Sequence, residues 1–237
     1  MKGKQGNAKG QAAGGAQSVW LRESRAAREE PPLTRARIVG EAVALLDAEG
    51  IDGLTMRRLA ERLGSGVTTL YWHVDTKIDV VDLALDAIFA ETPVPAASPE
   101  PDAWRADILA LLLDWRATML RHPWSAALLQ RPTLGPNLLA RMEFLQATLV
   151  RAGFTGRRLN SATWALYNHL MGATVARAGF TLSTEDREAA QRRLHDLSDR
   201  YPTLSANDYM LQNDWDTTFT TGLHYVLDGI TTSSDTD

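Results

Sequence analysis

Apolar residues recur every three or four positions along almost the whole chain after residue 32. This is the period of a helix with one buried face. The first such stretch places Ile38, Ala42 and Leu45 on one side of a helix that Thr34 can cap. No segment alternates between apolar and polar residues as a half-buried strand does. The pattern therefore predicts an all-α protein.

Two short helices are predicted between residues 55 and 74, with a turn between them. Thr55 can cap the first helix, Gly64 suits the turn, and the second helix begins at Ser65 or Gly66. This is the outline of a helix-turn-helix, in which the second helix enters the major groove of DNA. Short helix pairs also occur in ordinary bundles, so the outline alone leaves both interpretations open.

The prolines of residues 92–101 follow a fourth amphipathic stretch that starts at Asp75 or Thr76 and reaches Ala90. A proline-rich segment makes a stiff loop and the best domain boundary. We therefore predict a basic N-terminal arm, a three-helix DNA-binding domain with its connecting helix, and a larger helical domain. Their predicted ranges are 1–32, 33–91 and 92–237. Helices are predicted in the last of these at about 102–122, after Pro123, and at 136–152, 159–178, 183–198 and 215–230.

Composition narrows the class of protein. The 237 residues are 44% hydrophobic and include no cysteine, which excludes disulfides and Cys-ligated zinc. No apolar run approaches the roughly 20 residues that span a bilayer. The first thirty residues lack the apolar core of a signal peptide. We therefore expect a cytoplasmic protein without a membrane partner.

The charge is unevenly placed. The net charge is −4, yet Lys and Arg outnumber Glu in the residues before Ile38. A basic arm in front of an acidic body suits local contact with phosphates. The alternative is a solvated, disordered tail of a common kind.

Catalytic and metal-binding patterns are not found. The chain has no Gly-rich phosphate loop, nucleophile elbow or His-Glu-x-x-His sequence. Its later histidines, at 122, 169, 195 and 224, do not have metal-ligand spacing. We expect no enzyme activity, cofactor or metal.

The end of the predicted helix pair is unusual. Tyr71, Trp72 and His73 stand side by side on a short helix that can bury only one face, so their polar atoms can reach phosphates. Here the chain resembles the tetracycline-repressor family of transcription regulators. The residues that carry this resemblance are Gly53-Leu54-Thr55-Met56-Arg57-Arg58-Leu59-Ala60, Leu63-Gly64, Thr69-Leu70-Tyr71-Trp72-His73-Val74 and Lys77.

The resemblance implies a DNA-contacting set of residues. Arg57 suits a bidentate contact with guanine, and Thr55 can offer its backbone N–H to a phosphate. The start of the second helix should face the groove, and the residues after it should hold the DNA backbone. For Lys77 the alternative is an ordinary solvated surface lysine that does not contact DNA. The full set is Thr55, Arg57, Gly66, Val67, Thr68, Thr69, Tyr71, Trp72, His73 and Lys77.

The tip of this recognition helix departs from the family pattern. Gly66 and Val67 occupy positions where tetracycline repressors carry polar side chains that read bases. The operator sequence is therefore not transferable. More of the specificity is expected from Arg57, from the arm or from DNA shape.

The larger domain is implied to bind a small effector and to form the dimer, through the helices at 159–178 and 215–230. Pocket residues are expected to be largely apolar. Aromatic residues at helical spacing, however, belong to the hydrophobic core as often as they line a pocket. Leu129 stands where the family's drug-bound magnesium meets a histidine, so a metal–tetracycline effector is not expected. The ligand-binding set is Trp115, Met119, His122, Leu129, Met142, Leu145, Trp164 and Asn168.

Taken together, these observations predict a homodimeric, ligand-responsive regulator. Repression is the usual mode of the family, so we expect a repressor that binds a palindromic operator in double-stranded DNA. A small, largely apolar or aromatic molecule would release it. The alternative is a helical protein on the same fold that sequesters a ligand or binds a partner without touching DNA.

Overall fold

The computed structural model describes residues 32–128, 134–179, 182–211 and 214–232. Within these ranges every regular element is helical, which confirms the predicted all-α class. A short 3-10 turn, Pro101–Ala103, precedes α5. The α-helices are α1 (Arg35–Gly53), α2 (Met56–Arg62), α3 (Val67–Leu70), α4 (Lys77–Phe89), α5 (Trp104–Arg121), α6 (Trp124–Leu128), α7 (Pro136–Arg151), α8 (Gly156–Gly179), α9 (Thr184–Asp196), α10 (Pro202–Ala206) and α11 (Trp215–Thr232).

Threonine caps start the helices of the N-terminal part where the sequence predicts them. The hydroxyls of Thr34 and Thr55 each accept a hydrogen bond at 3.2 Å from the backbone N–H three residues on. Thr76, rather than Asp75, caps α4 and forms a reciprocal capping box with Asp79. Such caps satisfy backbone donors that a helix start leaves free.

Helices α1 to α4 share one core. Ile38, Leu45, Leu59, Leu70 and Leu85 come from all four helices and are buried. The chain passes between α2 and α3 at Gly64, whose φ of 66° lies in the left-handed region that glycine adopts without strain. Short helices are therefore held at fixed angles by packing rather than by their own propensity.

The longer helices continue the same core. Helix α5 packs on α7 and α8, α8 pairs with α11, and α4 contacts α1, α5 and α7. Leu33–Asp237 forms one compact unit, in which α4 is the element shared by both halves. The division at residues 91 and 92 stays a prediction.

The segment from residue 182 to 211 contains one helix that was predicted and one that was not. The charged stretch folds as α9, which buries only Gln191, and the short α10 that follows was not predicted. Helix α10 has no buried residue, so it leaves no apolar period in the sequence to detect. No helix within the described ranges is long and apolar enough to cross a membrane.

Candidate nucleic-acid interface and effector core

The surface of α2 and α3 exposes aromatic side chains. Leu70 and Val74 are buried beneath it, which turns the residues between them outward. Trp72 is 84% exposed and Tyr71 is 48% exposed. Large aromatics left in water at the end of a helix pair are typical of a binding surface, since each offers a flat apolar face and a polar hydrogen-bond donor.

The three arginines of α2 have different partners. Arg58 pairs with Glu49 and Arg62 with Glu41, so both tie α2 to α1. Among the described residues Arg57 pairs only with Glu61 of its own helix, and its side chain is 84% exposed. An exposed ion pair of this kind contributes little to the free energy of unfolding. Arg57 can therefore exchange its carboxylate for a phosphate or a base without unfolding anything.

The start of α3 presents two threonines. Gly66 is the N-cap of α3, and Thr68 and Thr69 are exposed. Val67 is half-buried against the core, so it is less available to a groove than the threonines are. The hydroxyl of Thr55 caps α2 by accepting from the backbone N–H of Arg58. The other backbone N–H groups at the start of α2 can donate to an anion.

Lys77 and His73 lie at the edge of this surface. Lys77 donates from Nζ to the backbone oxygen of Ile51 at 3.1 Å and is half-buried. It is therefore tied to the end of α1 rather than freely solvated. His73 is also half-buried.

The predicted ligand residues do not share one environment. Trp115, Met119 and Leu145 are completely buried, and Met142 is half-buried. Trp164 is 52% exposed and Asn168 is exposed. Leu129 lies outside the described residues. The structure therefore brings together the part of the set that α5 and α7 supply, and it places the α8 part at the surface.

His122 has a different environment from the one predicted. Its Nδ1 lies 2.7 Å from Asp47 on α1, and its Nε2 lies 2.9 Å from Glu91 just after α4. Trp124 on α6 donates from Nε1 to the same Asp47 at 2.6 Å. Both ring nitrogens are engaged, so His122 belongs to the junction between α1, α4 and α6 rather than to a ligand contact.

A second polar link joins α4 to α7. Asp86 accepts from the backbone N–H groups of Asn137 and Leu138, at 2.9 and 3.3 Å, and from the Asn137 side chain at 2.8 Å. The carboxylate thus caps the start of α7. Helix α4 is therefore bonded to the start of α7, and Glu91, just after α4, is bonded to His122 at the end of α5.

Arg141 is a buried residue that the sequence analysis missed. It is 1% exposed and lies on the face of α7 that also buries Leu138, Leu145 and Thr148. The signal was present in the sequence, because Arg141 falls three residues after Leu138 and four before Leu145. An arginine in an apolar stripe marks either a buried ion pair or a ligand contact.

Helices α8 and α11 meet through His169 and Phe219. The imidazole stacks on the phenyl ring at 5.1 Å, and its Nε2 lies 3.0 Å from the Phe219 backbone oxygen. The neighbouring outer faces expose Trp164, Val175 and Tyr225. Such a row of exposed apolar residues is typical of a protein interface.

Comparison with known proteins identifies the family. The description "Bacterial regulatory proteins, tetR family" fits residues 38–83, and "Tetracyclin repressor-like, C-terminal domain" fits residues 96–234. The chain belongs to the TetR family. Its members are transcription regulators that bind DNA and small molecules and form dimers. The predicted family is confirmed.

Named relatives support this assignment. An HTH-type transcriptional regulator of Saccharopolyspora erythraea is 41% identical over 90% of this chain and 91% of its own length. The HTH-type transcriptional repressor DrrR1 of Streptomyces coeruleorubidus is 34% identical over 85% of this chain and 78% of its own length.

The fold of this TetR-family regulator also matches a ligand-bound relative. ActR of Streptomyces coelicolor, solved in complex with actinorhodin, has a TM-score of 0.75 and 29% identity. The match covers 85% of this chain and 96% of ActR. The same protein was also solved in complex with (S)-DNPA.

Proposed function

We propose that this TetR-family regulator binds a palindromic operator as a homodimer and represses transcription until a small aromatic molecule releases it. The observation that carries the DNA-binding part is the exposed surface of α2 and α3. Trp72, Tyr71 and Arg57 stand in solvent there without a structural role in the core. The repressor DrrR1, at 34% identity, supports the sign of regulation.

The proposed dimer uses α8 and α11. Their outer faces expose Trp164, Val175 and Tyr225, and their inner faces are fixed by the His169–Phe219 stack. A two-fold dimer would present two copies of α3 to half-sites about one turn of DNA apart. Sedimentation at micromolar concentration tests this step, and a monomer there would contradict it.

DNA binding is tested by selecting bound sequences from a random pool of duplexes. A palindromic consensus is the expected result. Tyr71→Ala should then weaken binding to the selected site strongly. Tyr209→Ala is the matched control, since Tyr209 is an exposed tyrosine far along the chain between α10 and α11. Absence of any selected sequence would favour the ligand-sequestering alternative.

The effector part of the proposal rests on the buried aromatic residues of α5. Trp115 and Met119 are buried in α5, and Trp115 packs on Phe89 of α4. Asp86 ties α4 to α7, and Glu91, just after α4, bonds to His122 at the end of α5. A ligand that separates these contacts would move α4 and, with it, the DNA-binding helices. The ligand can shift DNA affinity only by its preference between the two arrangements, typically ~1–3 kcal/mol.

Release is tested by adding candidate molecules to the protein–operator complex in a gel shift. Actinorhodin and (S)-DNPA, with which ActR was solved, make a sensible first panel. Dissociation of the DNA by a molecule that also raises the thermal stability of the free protein is the expected result. Release by metal-dependent ligands alone would contradict the proposal.

A further inference from the structure

Four buried side-chain N–H groups in the effector half have no acceptor in the described part of the chain. They are the indole Nε1 of Trp115 and the guanidinium Nε of Arg116, Arg141 and Arg158. Buried donors are nearly always paired, and leaving one unpaired destabilises the fold. A group that is retained in this state is a candidate for pairing with something that the chain itself does not supply.

Two of these donors, those of Trp115 and Arg141, belong to side chains that pack on the same ring, Phe89. The indole of Trp115 meets Phe89 at 5.9 Å in an edge-to-face arrangement, and the guanidinium of Arg141 lies 5.4 Å from the centre of Phe89. The ring of Tyr167 also contacts Trp115, with the ring centres 5.9 Å apart. Burial raises the pKa of the Tyr167 phenol, so it stays a neutral donor. Trp115, Arg141 and Tyr167 therefore belong to one cluster of aromatic rings and hydrogen-bond donors.

The charge of Arg141 is poorly compensated. Its strongest hydrogen bond, at 2.8 Å, goes to the backbone oxygen of Thr92, and a weaker one goes to that of Asn137 at 3.3 Å. The nearest carboxylate, of Asp114, stands 3.8 Å away. Burial lowers the pKa of Arg141, while Asp114 and Asp86 act against this shift. A buried cation held mainly by carbonyls retains a strong attraction for an anion.

Arg116 gives a comparison within the same half. It is also buried and also lies against an aromatic ring, that of Phe219 at 4.7 Å. Its charge, however, is paired directly with Asp216 at 2.7 Å. The Nε of each arginine is unpaired within the described residues, so the two differ in the distance to a carboxylate, which is 2.7 Å for Arg116 and 3.8 Å for Arg141.

We propose that the effector of this regulator is a planar aromatic molecule with an acidic oxygen, a carboxylate or a phenolate, that accepts hydrogen bonds from Trp115 and Arg141. The aromatic part would lie beside Phe89 and Tyr167. This proposal rests on the effector function proposed above. It differs in the chemistry of the ligand, because the sequence alone indicated a largely apolar ligand without cationic partners. The mostly apolar surroundings favour an aromatic ring in the ligand, and the unpaired donors favour an acidic group on it.

The test compares two probes with the same ring system, 2-naphthoate and neutral 2-naphthamide, on the full-length protein by titration calorimetry. Naphthoate should bind about 10-fold or more tighter, since a hydrogen bond to a charged group contributes that much. Arg141→Met should abolish this preference, and Trp115→Phe should reduce it. Arg116→Met is the matched control and should keep the preference, although it also removes a buried arginine.

A second measurement uses the wild-type protein, so its result does not depend on whether a variant folds. In the wild-type protein, the indole N–H resonance of Trp115 should move downfield with naphthoate and much less with naphthamide. Equal affinity for the two probes, or binding of neither below about 1 mM, would overturn the proposal. So would an unmoved indole resonance or a preference that survives in Arg141→Met. Operator binding by the same preparation separates the outcomes, because its loss contradicts the DNA-binding function and not the preference for acids.

Discussion

The DNA-facing surface and the effector core use tryptophan in opposite ways. Trp72, at the end of α3, is 84% exposed and packs on little else. Trp115, in α5, is completely buried and meets both Phe89 and Tyr167 edge to face. On the surface, a residue can be specialised for binding at almost no cost in stability. In the core, the same residue type must hold the fold together and bind, so each change there has two effects.

The largest expected difference comes from truncating these two tryptophans. Trp115→Ala should lower the free energy of unfolding by about 3–5 kcal/mol, because it leaves a cavity among aromatic rings. Trp72→Ala should change it by less than about 0.5 kcal/mol while weakening operator binding. Urea denaturation at one fixed protein concentration and a gel shift measure the two quantities. If Trp72→Ala proves as destabilising as Trp115→Ala, the contrast between the two regions is wrong.

The junction between the two regions should respond next most strongly. His122→Leu leaves the carboxylates of Asp47 and Glu91 without the imidazole that now bridges them, which should cost about 1–3 kcal/mol. It should also reduce the effect of an effector on DNA affinity, because α1 and α4 lose a common bond to the end of α5. Urea denaturation and operator release measure these effects.

His195→Leu serves as the control for that substitution. His195 lies on α9 and is about half exposed, with a side-chain exposure of 54%. Its loss should cost little and leave release unchanged. Equal losses in both variants would contradict a special role for His122.

Arg57→Ala tests the DNA-facing surface alone. Binding to the selected operator should weaken by about 1–3 kcal/mol, and preference should relax at one base pair per half-site. Stability should hardly change, since the Arg57–Glu61 pair is exposed. Arg62→Ala is the matched control: it breaks the bond to Glu41 and should leave base preference intact. Wild-type affinity in Arg57→Ala would refute the assignment of this base contact.

The α8–α11 pairing can be tested with two glycines of the same helix. A Cβ at position 222 would lie 2.7 Å from Cε1 of His169, whereas one at position 229 meets nothing within 4 Å. Gly222→Ala should therefore destabilise by about 1 kcal/mol or more. Gly229→Ala should stabilise by up to about 1 kcal/mol through helix propensity. Thermal unfolding of both variants checks the difference, and the same sign for both would contradict the packing of His169.

The smallest effect is expected at Lys77. Lys77→Ala should weaken binding to all DNA sequences alike and reduce the salt dependence by about one phosphate per subunit. Since Nζ already donates to the Ile51 backbone, a small loss of stability should accompany this change. Affinities measured over a salt series provide the test. An unchanged slope would mean that Lys77 acts only within the fold.

Much of the DNA-binding half could be predicted because its signals are local. Thr34, Thr55 and Thr76 cap helices through atoms three residues away, and Gly64 adopts the left-handed turn that its position suggests. Exposure of Tyr71 and Trp72 follows from the burial of Leu70 on a helix with one inner face. Local chemistry of this kind does not depend on where the rest of the chain goes.

The effector half was predicted less well, because its contacts join distant parts of the chain. His122 was expected to bind a ligand, yet Asp47 and Glu91 occupy its nitrogens. Trp164 was grouped with the pocket and lies half exposed on α8. Periodicity shows which residues share a face of a helix, but it does not show what that face meets.

Sequence by itself determined the helical class, the helix-turn-helix and its exposed aromatic end, since caps, turns and apolar periods act within a few residues. Only the tertiary structure decided that α4 is bonded to the start of α7, and that the buried Arg141 has its nearest carboxylate 3.8 Å away. The physical reason is that burial and charge pairing depend on distances between side chains that the chain brings together only when it folds. The apolar period of α7 can indicate that Arg141 is buried, but only the folded neighbours show whether a carboxylate pairs with it.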